Sequence, residues 1–278
     1  MKKVNTLKIK KEIIKLIHDA SFTMKKEFID GFNSMKDSET SDRAGAVLDI
    51  LLENAAIAES ESLPLCQDCG STIVFIEIGQ DVILEGKYLH DSINEAVAEA
   101  YEKYYLRKSI TGDPLRRGNT GSNTPAFIHT EIIKGDSVRI TVFLKGGGSE
   151  NMSALKLFRP TDPLETIIDF IEETVVTAGP NPCPPIFLGV GIGGTSDTAL
   201  LNSKLAPLRE TEHPDPFYRD LEHRIKERLN STGVGPLGLG GRSTCAGVYI
   251  KEAPAHIATL PVALNLNCHS FRYGRAEI

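Results

Sequence analysis

The 278-residue sequence has no tryptophan, four methionines and only five cysteines. It has no stretch reaching the ~18 consecutive apolar residues that a membrane-spanning helix needs. The opening MKKVNTLKIKKEIIKLIHDA is basic but lacks an uninterrupted apolar core, so it does not read as a secretory signal. A cytoplasmic location is the default expectation. Positive charge is not in excess either. The formal net charge is −6, which disfavours a partner as anionic as nucleic acid while allowing a locally basic site for a small anion. Internal repeats, low-complexity tracts and an evident linker are also lacking. The cysteine count is odd and the positions 66, 69, 183, 245 and 268 are scattered, unlike the dense, even-numbered framework of a small secreted disulfide protein.

What is present reads as an ordinary globular chain, 41% hydrophobic and 24% charged, with enough length to bury a sizeable core. The first sixty residues follow helical spacing. Within them, Val47, Ile50, Leu51, Asn54, Ile57 and Ala58 follow that spacing behind a Ser41 or Asp42 cap, with Asn54 breaking the apolar stripe and expected to hydrogen-bond a loop inside the fold. The loop 60–70 leads into STIVFIEIG, a strand rich in β-branched residues. A helix is expected over 91–106, then a polar, glycine-containing stretch to Thr124. AFIHTEII and VRITVFLK follow as strands, joined by KGDS as a hairpin turn. Further helices are expected in DPLETIIDFIEETVVTAG, from TSDTALLNSKLA onward and at about 216–230, with strands in PPIFLGV, STCAGVYIKEA and HIATLPVALNL. The pattern predicts one α+β domain over 1–278, with a helical part at about 1–60.

Three glycine segments could cradle an anion. Gly189, Gly191 and Gly194 satisfy G-x-G-x-x-G between a strand and a helix, the context of a dinucleotide site. The expected second strand with its acid is missing, because LRETEHPDPFYRD is polar and proline-containing. Glycines that let a helix approach a strand closely are the plainer reading. KGGGSEN at 145–151 could bind a carboxylate through backbone N–H groups. GPLGLGGRST could be purely conformational.

The cysteines leave several chemistries open. A structural zinc ribbon uses two Cys-x-x-Cys knuckles, and this chain has one, Cys66 and Cys69. A thioredoxin-type pair sits at a helix start, whereas LCQDCGSTIVFIEI runs into a strand. A third arrangement is an iron–sulfur cluster on dispersed cysteines. Cys66, Cys183 and Cys268 each lie near turn-forming proline or asparagine, where a loop can present a thiolate. Cys245 sits in an alternating strand, as a buried structural cysteine does.

The segments DRAGAVLDILLENAAIA, LCQDCGS, LRKS, NTGSNTPAFIHTEI, KGGGSENMSALKLF, PCPPIFLGVGIGGTSD, GLGGRST and APAHIATLPVALNLNC occur in order along nearly the whole chain. Together they resemble the α-type catalytic region of the class I, iron–sulfur-dependent fumarate hydratases and the related L(+)-tartrate dehydratases. The resemblance implies a [4Fe–4S] cluster on Cys66, Cys183 and Cys268, with the open iron as Lewis acid for the substrate. It implies acid/base work at the substrate hydroxyl by Asp68, and substrate-carboxylate contacts from Gln67, Arg107 and the backbone at Gly147. His256 matches a histidine that, in single-chain members, reaches the other protomer's site; read alone it is a satisfied strand histidine. Asp68 read alone is an Asx-turn residue. The chain departs from the family's C-Q-D-T-G motif at Cys69, which stands in place of the threonine and raises the question whether Cys66 or Cys69 is the ligand; position favours Cys66. The length suggests the α subunit of a two-subunit enzyme, an α2β2 heterotetramer whose β chain completes the site. The implied reaction is the reversible hydration of fumarate to (S)-malate, with tartrate dehydration as the alternative. A nicotinamide-dependent oxidoreductase and a zinc-binding interaction module are the readings from other classes.

Overall fold

A computed structural model describes all 278 residues. In chain order the elements are β1 (Lys2–Asn5), α1 (Thr6–Phe22), α2 (Lys26–Ser38), α3 (Asp42–Glu61), β2 (Ser71–Gly79), β3 (Val82–Glu85), α4 (Leu89–Lys103), β4 (Phe127–Ile133) and β5 (Val138–Lys145). They continue with the single-turn α5 (Gly147–Glu150), β6 (Ala154–Phe158), α6 (Leu164–Ala178), β7 (Ile186–Gly193), α7 (Ser196–Leu205), α8 (Pro216–Asn230), β8 (Cys245–Ala253), β9 (Leu260–Asn267) and β10 (Arg272–Glu277). The fold is α+β, as the sequence pattern predicts. No helix is long and apolar enough to cross a membrane.

The chain forms two compact units, each assembled from separated stretches: Met1–Met24, Ala55–Gly147 and Phe271–Ile278 in the first, Lys25–Asn54 and Gly148–Ser270 in the second. The first unit holds a mixed sheet in the order β10-β5-β2-β4, together with the small parallel pair β1-β3. One face of that sheet presents Val74, Ile76, Ile78, Val138, Ile140, Val142 and Leu144. It packs with Ile9, Ile13 and Ile17 of α1 and Ile93, Ala96, Val97 and Ala100 of α4. The i, i+4 spacing of these helical residues is what gives α1 its single buried stripe.

The expected hairpin between AFIHTEII and VRITVFLK does not form. β4 and β5 are not neighbours: β2 lies between them, parallel to β4 and antiparallel to β5. The segment after β2 occupies the place of the hairpin turn's own bonds. Gly79 N donates to Ser137 O, Gln80 N to Ile133 O and Asp81 N to Gly135 O, at 2.8, 2.8 and 2.9 Å. An apolar run such as β2, buried on both faces, is most stable in the middle of a sheet.

The second unit holds a sheet in the order β6-β9-β7-β8, with β7 parallel to β8 and antiparallel to β9. Strand alternation divides β7 between two layers. Ile186, Leu188 and Val190 join a cluster with Ile167, Ile168 and Ile171 of α6 and Leu221, Ile225 and Leu229 of α8. Gly189 and Gly191 face α7. A Cβ on Gly189 would lie 1.9 Å from Ser203 O, and one on Gly191 1.9 Å from Ala199 O. These glycines therefore sit within the strand and admit a helix backbone.

Four strands, β1, β3, β6 and β10, were not expected from the pattern. α4 ends at Lys103, short of the predicted 106. In α3, Ser41 Oγ accepts from Ala44 N as a cap at 3.4 Å. The buried stripe is Val47, Leu48, Leu51, Ala55 and Ala58, leaving Ile50 and Ile57 exposed, so the predicted stripe was rotated by part of a turn.

Candidate functional site

The loop between α3 and β2 carries Cys66, Gln67, Asp68 and Cys69, and its conformation is fixed by hydrogen bonds inside the first unit. Gly70 ends it with φ of +81° and packs against the Lys145 backbone, which a Cβ there would approach to 2.9 Å. Asp68 Oδ1 accepts from Gly70 N at 3.0 Å, closing an Asx turn. Its other oxygen, Oδ2, accepts from Gly147 N at 2.8 Å. The Asx turn read from the sequence at Asp68 is present in the structure. One oxygen shapes the loop, and the other joins two residues 79 positions apart that the resemblance assigns to one site.

Arg107 is brought to the same loop by its backbone, whose N–H donates to Cys69 Sγ at 3.1 Å. Its side chain is exposed, as is Gln67, while Asp68 is half-buried. Two buried residues that the sequence reading did not single out anchor the loop from beneath. The Tyr101 hydroxyl lies 3.0 Å from Cys69 O and 2.9 Å from Gly70 O, sharing its one proton between them. Burial pushes that phenol up to about 12. Asn123 is fully buried, donates to Gly70 O at 3.2 Å and accepts from Ser109 N at 2.7 Å. A polar residue in a predicted core is the signal that could have found Tyr101. Asn123 lies in a stretch read only as a loop, where the sequence offers no such contrast.

The five cysteines differ sharply in environment. Cys245 is fully buried in β8, and desolvation pushes its thiol up to about 12. Cys69 is 3% exposed; burial pushes its thiol up, against the opposing effect of the Arg107 N–H and the Arg272 charge. Cys66 and Cys268 are half-buried and Cys183 is exposed. Thiols of the accessible kind are the ones that bind metal as thiolates. Cys66 Sγ donates to Gln67 Oε1 at 3.4 Å. In the second unit Cys183 adopts φ of +54° in a turn closed by its own N–H to Pro180 O at 2.9 Å. Its carbonyl accepts from His269 N at 3.1 Å and from His269 Nδ1 at 3.1 Å, which joins the Cys183 turn to the residue after Cys268. Cys268 Sγ lies 3.3 Å from Ser270 Oγ.

Three of the five sulfurs are accessible and lie on loops, Cys66 in the first unit and Cys183 and Cys268 in the second, while the other two cysteines are turned into cores. Within neither unit do three His, Cys, Asp or Glu side chains gather as ligands of a single ion.

His256 is not in a strand. It occupies the exposed turn between β8 and β9, where its Nδ1 accepts from Ala258 N at 3.1 Å and its carbonyl accepts from Thr259 N at 2.9 Å. Nδ1 is an acceptor, so the neutral ring carries its proton on Nε2. The turn borders a cavity of about 680 Å³ lined also by Phe158, Thr195, Thr198 and Leu260.

A carboxylate clamped by backbone amides, with an arginine tied to the same loop, suits an enzyme that moves protons on an anionic substrate. Comparison with known proteins narrows that class. The profile of the fumarate hydratase (Fumerase) family matches residues 10–277, and the chain belongs to this family of hydro-lyases. Among curated proteins it is 38% identical over 275 residues, 96% of each chain, to the "Putative L(+)-tartrate dehydratase subunit alpha" of Methanocaldococcus jannaschii. It is 34% identical over 263 residues to the L(+)-tartrate dehydratase subunit alpha of Escherichia coli strain UTI89, covering 93% of this chain and 86% of the other. The same protein of Shigella sonnei is 34% identical over 259 residues, 91% of this chain and 85% of that one.

Proposed function

We propose that the chain is the α subunit of an iron–sulfur-dependent hydro-lyase that dehydrates a hydroxylated four-carbon dicarboxylate. The single observation that carries this reading is the Asp68–Gly147 hydrogen bond, set beside the family match. L(+)-tartrate is the favoured substrate, since the curated relatives bear that name. Hydration of fumarate to (S)-malate, the first expectation from sequence, is the second reading; the name of the matching family supports it.

Cys66, Cys183 and Cys268 would hold a [4Fe–4S] cluster, which supplies Lewis acidity toward the substrate's carboxylate and departing hydroxyl when bound. The chain's own residues do the rest. Gly70 and Gly147 N–H groups hold the Asp68 carboxylate in one orientation, so that its remaining lone pairs can meet the substrate hydroxyl proton. Arg107 offers a planar fork suited to a substrate carboxylate, and Gln67 a neutral donor beside it. The loop's rigidity keeps these groups in register without reorganisation at the moment of reaction. His256, on its exposed turn, acts on a site completed by another chain. A β subunit is the expected partner, because the relatives are named α subunits; two copies of each chain, in the cytoplasm, complete the proposal.

The test is anaerobic purification of a tagged chain with whatever co-purifies, followed by steady-state assays with L(+)-tartrate, (S)-malate and fumarate. Tartrate turnover at a kcat/KM well above that for malate supports the favoured reading. The reverse order supports the second, and no turnover of any of the three sinks both. Iron and acid-labile sulfide should be roughly four of each per chain. They should be lost in Cys66→Ser, Cys183→Ser and Cys268→Ser and kept in Cys69→Ser and Cys245→Ser. Loss of iron with Cys69→Ser would transfer the ligand role to that thiol; zinc without sulfide would favour the interaction module instead.

A further inference from the structure

Arg272, the first residue of β10, is 3% exposed, yet its Nε and Nη1 have no hydrogen-bond partner. It stands in register with Leu144 of β5, which pairs with Thr72 of β2. Its side chain therefore shares the sheet face that α1 and α4 cover, a face otherwise made of Leu144, Val142 and Ile140. A guanidinium keeps its charge at every accessible pH, and a buried charge without a partner is among the most expensive features a fold can carry. The groups around it are Cys69 and Tyr101, both of which feel its charge, and Asp68. Of these only Asp68 is an ordinary anion, and both of its oxygens already accept backbone N–H groups. The guanidinium thus keeps unmet donors at Nε and Nη1, with Asp68 as the one anion beside it.

The direction in which an anion would meet it is marked by Gly146. A Cβ at that position would stand 3.3 Å from Asp68 Oδ2 and 3.8 Å from Arg272 Nη2. The missing side chain leaves a small space that the carboxylate and the guanidinium both border. Arg272 is four residues beyond Cys268 and outside every motif that carries the family resemblance, so no sequence signal marks it.

We propose that Arg272 is a substrate-binding residue: it pairs with one carboxylate of the dicarboxylate in the space beside Gly146, and so presents the adjacent hydroxyl to Asp68. This rests on the hydro-lyase reading for the identity of the ligand, but the geometry concerns any small carboxylate. A carboxylate there would meet the guanidinium from its Nη2 side, a charge-assisted contact that makes recognition strong and charge-specific.

The probe is succinate, a dicarboxylate with no hydroxyl to lose, titrated calorimetrically into the complex purified through a tag on this chain. Arg272→Met should weaken succinate at least tenfold, and Arg272→Lys by less, because an ammonium restores the charge without the fork. Gly146→Ala keeps the arginine and fills the space; it should weaken succinate comparably while leaving the thermal midpoint near that of wild type. Should Arg272→Met fail to fold, the lysine and alanine variants decide. Unchanged succinate affinity in those variants, with only a lowered midpoint, overturns the proposal and makes Arg272 structural. Absence of succinate binding by the wild type overturns it as well. Wild-type binding without turnover of any dicarboxylate would remove the hydro-lyase reading and leave Arg272 in place.

Discussion

Asp68→Asn should lower kcat by about 10²–10⁴-fold, the range expected when a positioned proton-transfer group is lost, with iron content and thermal midpoint close to wild type. The substitution is nearly isosteric. Asparagine retains one carbonyl oxygen, which can accept from Gly70 N or from Gly147 N, whereas the carboxylate accepts from both at 3.0 and 2.8 Å. The loop therefore keeps most of its shape while the acid/base group disappears. KM should change much less than kcat, because Gln67 and Arg107 remain to hold the substrate. A variant with near-normal kcat would remove Asp68 from the chemistry and leave it as the Asx-turn residue that the sequence alone suggests. A parallel loss of iron and activity would assign it to loop architecture, which metal analysis of the same sample separates from catalysis.

Gly191→Ala should abolish the folded second unit or cost it several kcal/mol, above the ~1–3 kcal/mol typical of an overpacked core. The added Cβ would stand 1.9 Å from Ala199 O, 2.8 Å from Ser203 N and 2.9 Å from Ala199 C. All three are backbone atoms of α7, so no rotamer change relieves the clash, and the helix must lift off β7. The check is expression and denaturant unfolding, with Gly45→Ala as a control, since nothing lies within 4 Å of a Cβ at that helical position. If Gly191→Ala unfolded like wild type, the close contact of strand and helix would be wrong. The same result bears on the dinucleotide reading of Gly189, Gly191 and Gly194: two of these glycines are filled by helix backbone and leave no room there for a pyrophosphate.

Much of this was legible from residue order, and the failures have physical causes. Helices were expected where α6 and α8 form; the Asp215 cap of α8, accepting from Phe217 N, is the local signal that starts it. Local sequence carries such signals. It carries none about which strands become neighbours, so the pairing of β4 and β5 was misjudged: a short polar turn between two strands usually means a hairpin, and only the insertion of β2 prevents it. β6 escaped notice because its side chains are mostly exposed and lack alternation. Asp68 and Gly147 were singled out through motif resemblance, not through spacing. Tyr101 and Asn123 were missed because their work is done by contacts distant in sequence, and the burial of Arg272 because no strand was expected where β10 forms.

The first unit's sheet closes late in biosynthesis. Its inner strand β5 is finished on the ribosome before the second unit's main stretch, Gly148–Ser270, is made, yet its partner β10 comes only after that stretch. Throughout that interval β5 presents unmatched N–H and C=O groups, a template for wrong pairing with another nascent chain. Pairing strands so distant in sequence also makes folding slow. Solubility of the freshly made polypeptide should consequently depend on chaperone capacity more than on the stability of the finished fold, and β10 would be both the lock of the sheet and its most exposed dependency.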